Sequence, residues 1–458
     1  MSSNLVSQKN YNTPALASEE IGIPESLSTK IQPKLTELHT QYVNIPTTSG
    51  AGPFSDGQQF SVQLPQNGYL QAGSLVLNFK SQFNYTEANT YAFGGPSASC
   101  GQLFNRISAS AGSLMIDDVQ NYFAYHSLLL ESVATQSYSE NTANILEGCY
   151  NDGTLESNGG ASAGIVYATT TVSGTPYTAL TKGTIYNYSM NVCLPVLSSG
   201  KNFPLWLLTS PLTLTFYLNM SGNAFTVPTP ITNASFNVIS PSITYHQVTL
   251  PKELELNIKD TMRATGQLYE LGVGGVATYL NAVPQNASLS YNLSTNLASL
   301  NAVAYVAIQN LGVQTANKYF FKPEEQNTSV NSRLYCNNNQ VNNYQINSDD
   351  MRIAEWMRAL SGVFNFNTVY RYQYTTAVGR PAWNSNAFEG STAQVRGYIN
   401  GFSLRKNSED NLSFTGTETQ TLTLNLDRSV SAPATYFIFL FYDRIISLDA
   451  DGRISVNQ

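Results

Sequence analysis

A pentapeptide with the pattern of a hydrolase nucleophile lies at Gly160-Ala161-Ser162-Ala163-Gly164. Enzymes that use this pattern place the serine on a tight strand-to-helix turn, and an acidic residue and a histidine follow it in the chain. Here the motif lies in a Gly- and Ser-rich stretch, no Asp or Glu occurs between Glu156 and Glu253, and the only later histidine is His246. A triad cannot be assembled in that order, so the sequence predicts no catalytic serine.

Histidine, which most often carries general acid–base and metal chemistry, is scarce in this chain. The 3 histidines are His39, His126 and His246. His126 lies on the apolar side of a helical pattern, where we expect a core residue with satisfied hydrogen bonds. The other two are far from it in the chain, and we do not expect the three to converge.

Two pairs of adjacent carboxylates, Asp117-Asp118 and Asp349-Asp350, each precede a helical pattern. Because a helix start has unpaired N–H groups and a positive dipole end, we expect both pairs to cap helices and not to transfer protons. Asp443, Asp449 and Asp451 have the oxygen chemistry of a cation site. A hairpin turn at residues 449–452 explains the last two more simply.

A second glycine-rich stretch, Gly272-Val273-Gly274-Gly275, lacks the features of a phosphate-binding loop. No Lys-Ser/Thr follows it and no acidic residue is placed as a dinucleotide site requires. Residues 266–275 are therefore predicted to form a flexible loop. The sequence predicts no catalytic, cofactor-binding or metal-binding residue, and we expect a protein that is not an enzyme.

Charge is unusually sparse. Only 12% of residues are charged, about half the usual share, whereas Tyr and Phe number 28 and 21. A neutral polar surface suits protein–protein packing because few charges must be desolvated. The net charge is −7 and the longest basic cluster is Arg405-Lys406. Since nucleic-acid binding needs concentrated positive charge, we expect no direct contact with nucleic acid.

The 4 cysteines, Cys100, Cys149, Cys193 and Cys336, show no metal-ligand spacing. We predict mostly buried thiols without disulfides, which fits synthesis in a reducing compartment.

Alternating apolar and polar residues predict β-strands in the first half of the chain. Phe60, Val62 and Leu64 show the period of a half-buried strand. The period then changes, and a helix is predicted over residues 119–133, where the apolar side includes Val119, Tyr122, Phe123, His126, Leu129, Leu130 and Val133. Residues 139–184 are rich in Gly, Ser and Thr and are predicted to form a long surface loop. Further strands of the first half are predicted at 185–196, 205–218 and 236–248.

The second half shows the same succession. Leu254, Leu256 and Ile258 alternate with polar residues, which predicts a strand. Residues 322–348 are Asn-rich and predict a polar crossing. A helix pattern includes Ile353, Trp356, Met357 and Leu360, with Gly362 as its stop. Further strands are predicted at 303–308, 368–375, 394–404, 419–426 and 436–448.

The two halves look like rough copies of each other. Residues 113–122 are echoed by 333–336 with 339–344, and residues 212–216 are echoed by 422–426. A duplicated β-rich unit without catalytic residues indicates a building block. We predict an arm at 1–48, a first β domain at 49–248 and a second at 249–458.

Three stretches carry a resemblance to a known family: residues 100–107 leading into 113–118, residues 339–344 with the Trp356 helix, and the closing hairpin at 436–456. Over about residues 55–456 the chain resembles the double jelly-roll major capsid proteins of tailless icosahedral DNA viruses. That lineage includes adenovirus-like, membrane-containing phage, virophage and Polinton-like members. The resemblance is one of architecture and not of a short diagnostic motif.

The resemblance implies an all-β fold of two tandem eight-stranded jelly rolls, each with a short helix in a connecting segment. It implies a homotrimer with a pseudo-hexameric outline that tiles an icosahedral shell. The implied partners are neighbouring capsomers, penton and minor capsid proteins, and an internal membrane or membrane protein reached by the arm. The implied location is the virion, after synthesis in the host cytoplasm or another reducing compartment.

Two alternatives from other classes stay open at this point. A minor virion protein, such as a penton, spike or receptor-binding adhesin, would share the β-rich, low-charge composition. A carbohydrate-binding β-sandwich protein is the other, with Trp356 and Trp383 as sugar platforms. Carbohydrate cleavage needs two carboxylates at a cleft, and residues 157–252 offer none.

Overall fold

The strands of the first half alternate in burial as the sequence predicts. In this computed structural model, Phe60, Val62 and Leu64 are fully buried while their neighbours face outward. The structure describes residues 39–84, 92–93, 99–132, 146–147, 169–172, 175–178, 182–226, 234–284, 288–293, 295–308, 330–342, 344, 346, 351, 354–355, 358–359, 363, 399–405, 416–428 and 434–457.

Two sheets face each other in the first half, with the apolar residues between them forming its core. The larger sheet has the order β11-β5-β15-β4-β12, with β1 and β2 also paired to β15, and the opposing sheet has the order β3-β13-β7-β8. The strands are β1 (His39–Pro46), β2 (Phe54–Ser55), β3 (Gln59–Leu64), β4 (Tyr69–Leu70), β5 (Val76–Asn84), β6 (Ala92–Phe93), β7 (Phe104–Ala111), β8 (Leu114–Gln120), β9 (Thr169–Val172), β10 (Thr175–Thr178), β11 (Ile185–Asn191), β12 (Phe203–Pro204), β13 (Leu212–Leu218), β14 (Phe225–Thr226) and β15 (Ser235–Thr249).

The second half builds the same sandwich. Its larger sheet has the order β16-β24-β18-β21, with β22 on β18 and β25 on β24, and its smaller sheet has the order β17-β23-β19-β20. The strands are β16 (Tyr269–Val283), β17 (Ser288–Leu293), β18 (Leu297–Ile308), β19 (Val330–Cys336), β20 (Asn339–Gln340), β21 (Ile399–Ser403), β22 (Thr417–Thr419), β23 (Leu422–Arg428), β24 (Ala434–Leu448) and β25 (Ile454–Asn457).

The strand orders confirm the predicted duplication. The smaller sheets match strand for strand, because β3-β13-β7-β8 corresponds to β17-β23-β19-β20. The larger sheets match as well, because β11-β5-β15-β1 corresponds to β21-β18-β24-β16. The sequence echo at 212–216 and 422–426 falls on equivalent strands, β13 and β23. Each half thus has eight equivalent strands, the number of a jelly roll.

Residues His39–Pro46, which the sequence assigns to the arm, form strand β1 instead. The strand pairs with β15 along its whole length, from His39 opposite Thr249 to Pro46 opposite Ser242. These eight residues are therefore part of the first sheet, and the rest of the arm lies outside the described residues. The division of the chain at residue 248 stays a prediction.

Helix α1 (Tyr122–Ser132) confirms the helix predicted in the first half. Short helices follow at α2 (Pro195–Ser198) and α3 (Ser221–Ala224), and a longer one at α4 (Lys252–Thr265). Of the second predicted helix, residues 351, 354–355, 358–359 and 363 are described and helical. In the described part of the chain, no helix is both long and apolar enough to cross a membrane.

The strand predicted from Leu254, Leu256 and Ile258 is wrong, because these residues lie in α4. Leu254, Ile258 and Met262 are buried at helical spacing, whereas Leu256 is 53% exposed. Leu254 and Ile258 fit both periods over so short a stretch, and the helical one continues to Met262. Gly266, with φ of 67°, takes the left-handed conformation that ends the helix.

Two predicted loops contain strands. Residues 322–348 hold the hairpin β19–β20, whose turn is made by Asn337 and Asn338 at φ of 50° and 63°. Asparagine tolerates this conformation, so the Asn-rich composition marks a turn and not a crossing. The described part of 139–184 includes the β9–β10 hairpin. The strand predicted at 368–375 lies outside the described residues.

Candidate functional site: the seam between the halves

The catalytic candidates do not form a site within the described residues. The Gly160–Gly164 motif and Asp349-Asp350 lie outside them. His39 and His246 lie on β1 and β15, whereas His126 is buried in α1. Among the residues described, no group of three or more His, Cys, Asp or Glu side chains is arranged to hold a metal ion.

His126 is the satisfied core histidine that the sequence predicts. Its Nδ1 lies 3.3 Å from the Ser99 hydroxyl, and its Nε2 lies 3.3 Å from a carboxylate oxygen of Glu147. Ser99 also accepts the Gly101 N–H at 3.3 Å. Burial lowers the pKa of His126 to about 3, so the ring is neutral at physiological pH.

The predicted capping role of Asp117 and Asp118 is wrong, because both lie in strand β8 before the helix begins. Asp118 forms a half-exposed pair with Arg106, with an N–O distance of 2.6 Å. Asp117 is buried and pairs with Arg444, 327 residues later in the chain, at 2.6 Å. The sequence offers no local signal for such a distant partner.

Arg444 connects four elements. Its second contact is from Nε to the carbonyl of Gly274, at 3.2 Å. The Gly274 N–H donates to the Ser199 hydroxyl at 2.9 Å, and the Val196 N–H donates to Asp117 at 2.9 Å. Strand β8 and the α2 region of the first half are thereby tied to β16 and β24 of the second. We refer to Asp117, Val196, Ser199, Gly274 and Arg444 as the clamp.

Burial raises the pKa of the Asp117 carboxyl. The Arg444 guanidinium and the backbone N–H groups of Val196 and Asp118, which donate to this carboxylate, act to lower the same pKa. A buried ion pair whose hydrogen bonds are all formed holds its two strands in one relative position, because separating the charges would leave each of them buried alone. The clamp is therefore suited to orienting the two halves.

The flexible loop predicted at 266–275 is wrong, because residues 269–275 lie in strand β16. Its glycines allow close approach. A Cβ on Gly275 would lie 2.6 Å from the Tyr442 ring, and Gly274 passes close to Ser199. Glycine within a strand commonly marks such a site.

An apolar contact lies next to the clamp along strand β24, which also carries Arg444. The larger sheet of the second half has an apolar outward side, which we call the apolar face. It consists of Phe437, Phe439 and Phe441 on β24 and Ala302, Ala304 and Val306 on β18. All six are buried in the same core as α1. Phe123 of α1 packs edge-on against Phe437 with ring centroids 5.5 Å apart, and Tyr125 lies 6.0 Å from Phe439.

Residues 122–129 of α1 are all buried, because this part of the helix lies between the two sandwiches. The seven consecutive apolar residues 436–442 are a sequence signal for the seam. An ordinary sheet strand alternates, whereas a strand buried on both faces reads as a continuous apolar run. Tyr436, Ile438 and Leu440 enter the core of the second half, and the phenylalanines between them enter the seam.

The acidic residues near the C-terminus are engaged by protein groups. Asp443 accepts hydrogen bonds from Ser299 and Asn301, both at 2.6 Å. Asp449 accepts the N–H groups of Asp451 and Arg453 at 2.9 and 2.8 Å, which is the predicted hairpin turn. Cys193 and Cys336 are thiols without disulfides, Cys100 is buried, and Cys149 lies outside the described residues.

Comparison with known proteins identifies other structures that share this fold. No protein-family model and no curated protein sequence matches the chain. Solved structures match along most of its length. PBCV-1 VP54, fitted into a reconstruction of the virophage Sputnik, is 11% identical over 91% of this chain and 96% of its own, with a TM-score of 0.53.

Two further structures agree. The Sputnik virophage chain is 12% identical over 92% of this chain and 88% of its own, with a TM-score of 0.52. The Faustovirus major capsid protein is 8% identical over 89% of this chain and 90% of its own, with a TM-score of 0.50. Identities this low establish the fold alone: the chain has the double jelly-roll fold.

Proposed function

We propose that this chain is the major capsid protein of an icosahedral virus and that its role is structural. The observation that carries the proposal is the duplicated jelly roll, fixed by the clamp and shared along about nine tenths of the chain with the Faustovirus major capsid protein. Fold likeness alone does not determine function. The charge-poor composition supports a protein that makes extensive contacts with other copies.

We further propose that three copies form a ring of six jelly rolls. Two similar lobes held at one fixed orientation make a block with near two-fold repetition. Three such blocks close into a ring with a pseudo-hexagonal outline, because a head-to-tail contact that closes on itself leaves no unmatched surface. Such capsomers would tile the flat facets of a shell in the virion.

The proposed partners are therefore other copies of the chain, neighbouring capsomers, and penton and minor capsid proteins. Residues 1–38 are the segment that would reach an internal membrane or membrane protein. We expect no direct contact with nucleic acid, since the net charge is −7.

Light scattering on the purified protein, with negative-stain microscopy of the same peak, tests this proposal. We expect a species of about 150 kDa, three times the 50.0 kDa of one chain, with a hexagonal outline. A stable monomer or a five-fold ring would contradict it and would favour an adhesin or a vertex protein. A glycan-binding screen on the monomer would then test the carbohydrate-binding alternative.

A further inference from the structure

Polar side chains from three parts of the molecule meet beside the helix that connects the two halves. Tyr69 lies on β4 and Trp206 lies in the turn between β12 and β13, both in the first half. Tyr269 begins β16 of the second half, and Glu255 lies on α4 between the halves. The Tyr69 hydroxyl lies beside the side chains of Trp206 and Tyr269, and the Glu255 carboxylate is close enough to act on it electrostatically. We refer to these four residues as the junction cluster.

Three polar atoms of the junction cluster are buried without a hydrogen-bond partner among the described residues. They are the hydroxyl oxygen of Tyr69, the indole nitrogen of Trp206 and Oε1 of Glu255. Tyr69 is fully buried, Trp206 is 5% exposed and Glu255 is half-buried. Burial raises the pKa of both Tyr69 and Tyr269, so each hydroxyl keeps its proton. Folded proteins rarely leave such atoms unpaired, because nothing then offsets the loss of their bonds to water.

The surrounding structure holds these side chains in place. The backbone N–H of Trp206 donates to the Gly68 carbonyl at 3.1 Å, and Tyr69 pairs with Val248 in the sheet. The Tyr69 and Trp206 rings meet edge-on, with centroids 6.1 Å apart. Lys259 of α4 lies over the Trp206 ring, with its Nζ 5.3 Å from the centroid and 3.4 Å from the Trp206 carbonyl oxygen. Direct bonds would require these packed groups to move, whereas a small bridging molecule would not.

The bonding capacity of the junction cluster selects a neutral molecule. An indole N–H only donates, an ionised carboxylate only accepts, and a tyrosine hydroxyl does both. A water molecule can accept from Trp206, donate to Glu255 and bond to Tyr69, which are the three bonds typical of a buried water. A cation would face the hydrogens of the indole and the hydroxyl, and an anion would face the carboxylate.

We propose that the junction cluster binds one ordered water molecule, which joins α4 to β4 and to the turn that carries Trp206. Tyr269 brings the start of the second half to the same place. On β16, Tyr269 precedes Gly274 of the clamp by five residues, which is about 17 Å along a strand. The first half is therefore held at two separate places, by a buried ion pair at the clamp and through water at the junction cluster. The site does not depend on the capsid proposal.

A high-resolution structure of the full chain tests the proposal directly. At a resolution of about 2 Å, we expect a density peak about 3 Å from Nε1 of Trp206, the hydroxyl oxygen of Tyr69 and the Glu255 carboxylate. A direct bond between Tyr69 and Trp206, with no peak among the side chains, would overturn the proposal. A Glu255 carboxylate turned towards solvent would overturn it as well.

Tyr69→Phe tests the site in solution, because it removes the hydroxyl and keeps the ring. If the hydroxyl bonds to a held water, the urea midpoint of unfolding should fall. Tyr122→Phe is the matched control, since the buried Tyr122 hydroxyl accepts the Cys193 N–H at 3.1 Å. We expect the two midpoints to fall by similar amounts. A higher midpoint for Tyr69→Phe, with a lower one for the control, would mean that the Tyr69 hydroxyl has no partner and would reject the water site.

Discussion

Two equivalent sheets of this molecule present opposite chemistry on their outward sides. In the first half, Asn44, Thr244 and Asn78 form a polar face that meets solvent. In the second half, the same position in the sheet order carries phenylalanines that pack on α1. The core-facing sides are apolar in both halves. The two halves therefore share an apolar pattern on their core-facing sides. Their outward sides differ because one meets solvent and the other packs on α1.

Truncating the apolar face tests this comparison most severely. Phe439→Ala should lower the free energy of unfolding by about 4 kcal/mol, because a buried aromatic is lost and a cavity is left in the seam. Thr244→Ala on the polar face should cost less than about 1 kcal/mol, since water replaces its hydrogen bonds. Urea unfolding of both variants measures the difference. Equal losses would mean that the apolar face does not hold the halves together.

The clamp gives the next largest effect. Asp117→Ala leaves the Arg444 charge buried without its carboxylate and should lower the free energy of unfolding by about 3 kcal/mol. Its neighbour is a matched control, because Asp118 and Arg106 are both partly exposed. Asp118→Ala should cost less than about 1 kcal/mol. Chemical unfolding at neutral pH compares the two variants. A similar loss of unfolding free energy in both would mean that the buried pair in the seam stabilises the fold no more than the exposed pair does.

The sequence predicts the inward pattern far better than the seam. Strands such as β3 and β15 alternate because one face is buried and the other is wet, and that periodicity is local. The partnership of Asp117 with Arg444 has no local trace, since it arises only when the halves meet. Asp117-Asp118 before a helical pattern therefore reads as a cap until the fold brings Arg444 to it.

Two wrong predictions, the strand at Leu254–Ile258 and the flexible loop at 266–275, have a related cause. Leu254, Leu256 and Ile258 satisfy an alternating pattern only while Met262 is ignored, and the packing of α4 buries the helical set. Gly272 to Gly275 read as a flexible loop because glycine is usually a turn residue, yet here its small size allows Tyr442 and Ser199 to come close. Both errors concern residues whose role depends on a distant neighbour.

Acid should lower the free energy of unfolding through His126, which lies on α1, the helix that packs on the apolar face. Burial holds its pKa at about 3 in the fold against about 6.5 in the unfolded chain, so stability is complete above pH 6.5 and falls as the pH drops towards 3. At pH 5 the loss from this group should be about 2 kcal/mol. The facing groups are Glu147, Ser99 and Tyr122, and an ionised Glu147 would oppose the effect.

His126→Gln isolates this contribution, because glutamine does not titrate while every other carboxylate stays in place. Unfolding free energies of the wild type and the variant at pH 7 and pH 5 give the measurement. We expect the wild type to lose more between the two pH values than His126→Gln does. Identical slopes would show that His126 gains its proton without cost, as it would beside a charged Glu147.

Two adjacent glycines in the seam should differ in how well they tolerate a side chain. A Cβ on Gly275 would lie 2.6 Å from the Tyr442 ring, whereas a Cβ on Gly274 would meet Ser199 at 3.5 Å, an ordinary contact. Gly275→Ala should therefore cost about 1–3 kcal/mol through overpacking. Gly274→Ala should be nearly neutral, because the lower entropy of the unfolded chain offsets its small strain. If thermal unfolding ranked them in reverse, the Tyr442 ring would have room to move, and the close approach of β16 to β24 would not depend on glycine.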